Sequence, residues 1–336
     1  VGAGLFSSNP NVRAYSFGDT TASAAIVGDY QTSAYHGAPG SMPVKEHYKV
    51  AFDVIDRKVD MFNLMLLPQS SAQTDDERED LWRLASAFCQ KRRALLLVDP
   101  RGSWEETQSI TEEISEIRRG VVKDHSAIFW PRLMVTTGSG TQKAIDPCGS
   151  VAGLMARTDA NRGVWKAPAG MEGDVRGVRG VQYMISDSEN GAINSEAVNA
   201  LRVFPNGIVT WGSRTMDGFD NSANSDYRYL PVRRLAGYIE ESLYRGLKFA
   251  VFEPNDEPLW AQIRQSAGAF MNTLFRQGAF QGQKASDAYF VKCDTETTTQ
   301  NDINLGIVNV VVGFAALKPA EFVVLTLKQK AGDIQV

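Results

Sequence analysis

Between Phe62 and Val135, apolar runs too continuous for half-exposed strands alternate with amphipathic stretches, and this order leaves few folds open. FNLMLLP (Phe62 to Pro68), ALLLVDP (Ala94 to Pro100) and IFWPRLMV (Ile128 to Val135) read as buried strands. Between the first two, residues 76–93 carry Leu81, Leu84, Ala85 and Phe88 at the three-and-four spacing that gathers side chains on one helix face. A second helix is predicted from Ser103, where Ser103 and Glu106 have capping-box spacing and Ile110, Ile114 and Ile117 continue an apolar stripe. Strands that are apolar on both sides need cover on both sides, so the pattern implies a mostly parallel sheet between helices, an α/β domain.

The flanking regions differ. Residues 1–50 are rich in Gly, Ser, Ala and Thr and predict strands and loops. Asn206 and Gly207 in FPNGIVTWGSRT mark a turn between short strands, and a boundary is expected in DGFDNSANSD, Asp217 to Asp226. Beyond it, Pro231 suits a first helical turn and Gly246 a helix end, with a strand and then a second helix expected after them. That second helix, residues 258–276, has a wide apolar face built on Leu259, Ile263, Phe270 and Leu274. Three strand-like segments close the chain: Ala288 to Asp294, Ile307 to Ala315, and Glu321 to Lys330. The chain is therefore α+β overall, divided as 1–50, 51–222 and 223–336.

Several function classes find no support in the residues. The longest apolar run, Gly306 to Leu317, is interrupted by Asn309 and Gly313 and is shorter than the roughly 20 residues a membrane span needs. A net charge of −4 with interspersed signs lacks the basic footprint of a nucleic-acid binder. Three widely spaced cysteines suggest neither a disulfide framework nor a zinc site, and His36, His47 and His125 form no ligand motif, so no metal or cofactor is expected. Thr136 to Gln142, TTGSGTQ, is not a hydrolase elbow and reads as a Gly-rich turn. Gly177 and Gly180 lack the order and the following helix of a dinucleotide fingerprint.

Four strings in the last third, VRRLAGYIEESLYRG (Val232 to Gly246), FEPNDEPLW (Phe252 to Trp260), FRQGAFQG (Phe275 to Gly282) and TTTQNDINLGIVNVVVGFAALKPAEFVV (Thr297 to Val324), resemble the C-terminal domain of contractile tail sheath proteins. ARTDANRGVWKAPAG (Ala156 to Gly170), NGIVTWGSRT (Asn206 to Thr215) and FCQKRRALLLVDP (Phe88 to Pro100) resemble the middle of the same family, so the likeness covers roughly residues 60–336. The family serves contractile-tailed phages, R-type pyocins and phage-tail-like injection systems. The resemblance implies a subtilisin-like middle domain without the peptidase's Asp, His and Ser motifs, and a structural subunit instead of an enzyme. It also implies self-association in six-start helical layers around an inner tube, with baseplate and terminal cap proteins as further partners, assembled in the bacterial cytoplasm. Family members begin with an extended arm bearing a PGVYVEE-like string, which is not found here, so a native N-terminal arm is expected to be missing.

In this family terminal arms add strands to a sheet in the neighbour's C-terminal domain. Here the donor is expected at Phe322, Val323, Val324, Leu325, Thr326, Leu327 and Lys328, whose alternation suits a strand with one buried face. An ordinary edge strand of the chain's own sheet is the alternative. The acceptor is expected at Ile307, Val308, Val310 and Val312, and a contact with an acidic tube at Arg264, Arg276 and Lys284, each of which otherwise reads as scattered surface charge. Two competing readings remain: a vestigial hydrolase on the same scaffold, and a monomeric binding module.

Overall fold

The computed structural model describes residues 43–69, 73–220 and 226–321. The expected donor strand and residues 1–42 lie outside these.

The predicted alternation folds as a five-stranded sheet. Its strands are β1 (Leu64–Leu66), β2 (Leu95–Val98), β3 (Ser126–Trp130), β7 (Val198–Phe204) and β8 (Gly207–Thr210), in that spatial order. The first four run parallel, and β8 returns antiparallel to β7. Phe204 pairs with Gly207, so the tight loop between β7 and β8 is Pro205 and Asn206, one residue earlier than the sequence suggests.

Both faces are covered, which is why β2 and β3 have no polar alternation. Leu96, Val98, Ile128 and Trp130 point to one face, with α1 (Lys45–Lys58), α2 (Asp75–Lys91), α3 (Thr107–Arg118) and α5 (Asp187–Ser195) supplying Phe52, Trp82, Ile114 and Ile193. Leu95, Leu97, Ala127 and Phe129 point to the other, against Val151, Leu154 and Met155 of α4 (Cys148–Arg162). Successive strand residues serve opposite cores, as the two-residue period requires.

Four expectations are corrected. Helix α1 starts at Lys45, inside the stretch read as strands and loops, and crosses the boundary drawn at residue 50. It is held by Phe52 stacking on Phe88 of α2 at 5.0 Å. Helix α3 starts at Thr107, not Ser103; the Ser103 hydroxyl instead donates to Glu113 at 3.1 Å, a carboxylate that also accepts from Trp104 Nε1 and Arg101. IFWPRLMV is two strands in two sheets. β3 ends at Trp130, the prolyl nitrogen of Pro131 has no hydrogen to donate, and β4 (Leu133–Thr136) joins β5 (Gln142–Ile145) and β6 (Gly180–Val181) in a separate antiparallel sheet. TTGSGTQ is the β4–β5 turn, with Gly140 at φ +82°.

The fourth correction lies in the last third. Pro231 does stand in the first turn of α6 (Leu230–Gly246), and α7 (Glu257–Arg276) buries Leu259, Trp260, Ile263, Ala267, Met271 and Leu274. No strand joins them. The amides of Ala250, Val251 and Glu253 donate three residues back, to Leu247, Lys248 and Ala250, which winds the connection into a 3₁₀ turn over Lys248–Ala250. Val251 and Phe252 are left 61% and 103% exposed, Phe252 with φ +71°.

Candidate assembly interface

The C-terminal region is a pair of helices with a small sheet beside it. β9 (Tyr289–Lys292), preceded by the single-turn α8 (Ala285–Ala288), pairs antiparallel with β10 (Val311–Phe314), Val312 opposite Val291 and Phe314 opposite Tyr289. Among the described residues this sheet has two strands, so each offers one edge of unpaired backbone groups. Two strands are marginal alone; here Val291, Val312 and Phe314 pack on a core of Leu235, Ile239, Met271 and Leu274. Gly313 faces Phe290 closely: a Cβ there would fall 2.2 Å from the ring. Between β10 and α6 runs a groove of about 960 Å³, lined by Leu243, Tyr244, Val251, Val310, Val312 and Phe314.

The four expected acceptor positions separate in space. Val312 stands in β10, and Val310 precedes it in the groove. Val308 packs with Leu259, Trp260 and Cys293, while Ile307 is exposed at the turn after α9 (Gln300–Asn304). The strand is shorter than its apolar run because neighbouring backbone groups are committed elsewhere. Ile307 donates to the Asp302 carbonyl at 2.8 Å and accepts from Asn255 Nδ2 at 2.9 Å, and the Asn309 amide donates to Thr298 Oγ1 at 3.1 Å. Asn255 also accepts from Trp260 Nε1 at 2.8 Å, so this one side chain ties the loop before α7 to the approach to β10.

The three expected basic contacts are not brought together. Arg264 is half-buried, donating to Glu257 at 2.5 Å and to the Cys293 carbonyl, and the Glu257 hydrogen bond raises its guanidinium above the usual range. Arg276 is exposed in the last turn of α7, and Lys284 is exposed ahead of α8. Twelve residues of helix separate Arg264 from Arg276, about 18 Å along the axis and about a third of a turn around it.

One cluster escaped the sequence reading. Asn199, fully buried on β7, donates to the carbonyls of Ile128 and Arg214 at 3.0 and 2.9 Å, and accepts from the Arg214 amide at 2.7 Å. This holds the backbone of Arg214 in place, and its guanidinium, 3% exposed, reaches Glu321 through Nε at 2.9 Å and Nη2 at 2.6 Å. Nη1 donates to the carbonyls of Asn194 and Gly218 and to Asp220. Burial works to lower this guanidinium, but Glu321 and Asp220 hold it above the usual range. The partners lie 107 residues apart, and no periodicity joins them. Their only signal is that GSRT and PAEF both sit inside the strings that carry the family resemblance.

Residues 44–216 match the family model described as the phage tail sheath protein central domain, and residues 222–330 match the phage tail sheath C-terminal domain. The chain belongs to the phage tail sheath family. It is similar to the putative prophage major tail sheath protein of Pseudomonas aeruginosa (strain UCBPP-PA14), 22% identical over 303 residues, or 89% of this chain and 72% of the relative. The tail sheath protein of Enterobacteria phage T4 is 27% identical over 159 residues, 46% of this chain but only 22% of the phage protein. Among solved structures, the anti-feeding prophage helical sheath in its contracted state superposes with a TM-score of 0.72 at 29% identity, covering 87% of this chain and 77% of the other. The sheath complex of the PVC extracellular contractile injection system, also contracted, gives 0.68 at 28% identity, covering 84% and 74%. Mixed helix and strand content is thus common to this chain and its sheath neighbours.

Proposed function

We propose that this sheath-family chain is the repeating subunit of a contractile tail sheath, which polymerises in helical layers around an inner tube and contracts to drive that tube through a target envelope. The observation that carries this reading is the likeness across 87% of the chain to a helical sheath in its contracted state, together with matches to both sheath domains. The role is mechanical and needs no catalysis. Its partners are further copies of itself, the tube protein, and baseplate and cap proteins. Assembly takes place in the bacterial cytoplasm, before release of a phage tail or tail-like particle.

In this reading the region from α1 to residue 222 forms a subtilisin-like α/β domain that has no peptidase role, supported by the parallel sheet with helices on both faces. Residues 223–336 form the domain that links neighbours. Phe322 to Lys328 of one copy act as a strand for another, and β10 with Val312 is the receiving edge, supported by its unpaired backbone and the adjoining groove. Each added interstrand hydrogen bond contributes roughly 0.5–1.5 kcal/mol net, so such a link is firm over a lattice but modest singly. Arg276, exposed in the last turn of α7, and Lys284, exposed ahead of α8, are the better placed of the basic residues to meet an acidic tube, since Arg264 already pairs with Glu257.

Electron microscopy of negatively stained protein, alone and with its tube protein, tests the proposal. Hollow striated cylinders are expected. Persistent monomers in the presence of tube protein would overturn it.

A further inference from the structure

We infer that the buried Arg214–Glu321 pair is a mechanical anchor that fixes the point from which the chain's last residues depart, and that it does so on the central domain. This deepens the sheath reading and rests on it for its consequence in assembly.

The path of the chain carries the inference. β10 belongs to the C-terminal sheet, and just after it Ala315 still holds that region: its amide donates to Ala288 and its carbonyl accepts from Gln281. Ala316 is bridged to Phe280. Leu317, Lys318, Pro319 and Ala320 then border a cavity of about 670 Å³, with Trp165, Trp211 and Ser213 of the central region on its wall. At Glu321 the chain is caught by Arg214 with two guanidinium nitrogens, and the Tyr229 hydroxyl adds a bond at 3.4 Å. A two-pronged, charge-assisted grip by an almost fully buried arginine is among the strongest polar contacts a side chain makes. It is also rigidly backed, because Asn199 holds the Arg214 backbone and Nη1 is occupied by Asn194, Gly218 and Asp220.

The geometry gives the anchor a purpose. The expected donor strand starts at the next residue, Phe322, so the grip leaves no slack between body and strand. Without it the last fixed point retreats to Ala316, and the five residues from Leu317 to Glu321 are released as tether. At about 3.4 Å per residue that is up to about 17 Å of added reach. The effective concentration of a tethered strand at a neighbour's edge falls as its tether lengthens, and so does the precision with which rotation of one body is passed to the next.

The test uses Glu321→Ala, with Glu321→Gln as a milder second variant. Either leaves Arg214 its contacts to Asp220, Asn194 and Gly218. A nitroxide on Lys318→Cys, exposed between the two fixed points, reports tether motion in the full chain, the native Cys89, Cys148 and Cys293 being buried. The expected result is a label that is slow with Glu321 and severalfold faster in E321A when both are read well below their thermal midpoints, the midpoint of E321A itself falling because Nε and Nη2 of Arg214 lose their acceptor. Equal mobility overturns the anchor. In assembly with the tube protein, E321A is expected to yield severalfold fewer ordered cylinders than the parent, and equal yield and striation overturn its role in assembly. If the parent itself forms no cylinders, the sheath reading fails while the label still decides whether the anchor exists.

Discussion

The central sheet and the C-terminal sheet solve the same problem to different extents. β2 and β3 lie between two cores with neighbours on both sides, so their backbone and side chains are satisfied within the chain. β9 and β10 have one strand partner each among the described residues, a groove on one side, and exposed Tyr244, Val251 and Phe252 nearby. A region that is finished by itself suits a rigid body. A region with open edges suits joining copies, and the contrast is the physical basis for assigning body and linker roles.

Substitutions in the two regions should differ in what they cost. The largest effect is expected in the closed region. Trp130→Ala removes a fully buried indole that donates to the Trp104 carbonyl and packs on Tyr183, and should cost about 3–5 kcal/mol in urea unfolding. Next comes Gly212→Ala, whose Cβ would lie 2.9 Å from both Cα and Oδ1 of buried Asn199. About 1–3 kcal/mol is expected, read in the same titration, because neither atom has room to move.

A smaller effect is confined to acid. Glu189 accepts from Ser186 and Tyr183, the Ser186 hydroxyl bond being the largest influence, and its carboxyl falls from 4.5 to about 2. A carboxyl depressed on folding lends stability that is complete above 4.5 and is lost as pH falls towards about 2. Thermal midpoints of Glu189→Gln stepped across that window should therefore fall less steeply than those of the parent. The smallest effect on stability is expected in the open region. Val251→Asp, at a groove-lining and largely exposed position, should change unfolding by less than about 0.5 kcal/mol yet suppress cylinders under the microscope. A large loss of stability there would mean that the groove is core and would remove the contrast.

Local pattern made the closed region readable. Leu95 to Val98 could only be a strand covered on both sides, and Leu81, Ala85 and Phe88 could only mark one helix face, since both periods are written along a single segment. Residues 257–276 were legible for the same reason. Where local pattern competed with commitments made elsewhere, it misled. Ser103 has cap spacing but bonds Glu113, and Ile307 is apolar but its amide is taken by Asp302.

The covered parallel sheet, the two long C-terminal helices and, through the matching strings, the family could all be read along the chain. Where IFWPRLMV divides between sheets, how short β10 is, and the meeting of Arg214 with Glu321 emerge from the folded chain alone. The reason is range. Side-chain periodicity is set by the geometry of a few consecutive residues, whereas strand partners, competing hydrogen bonds and an ion pair 107 residues apart are settled by which surfaces the folded chain brings together.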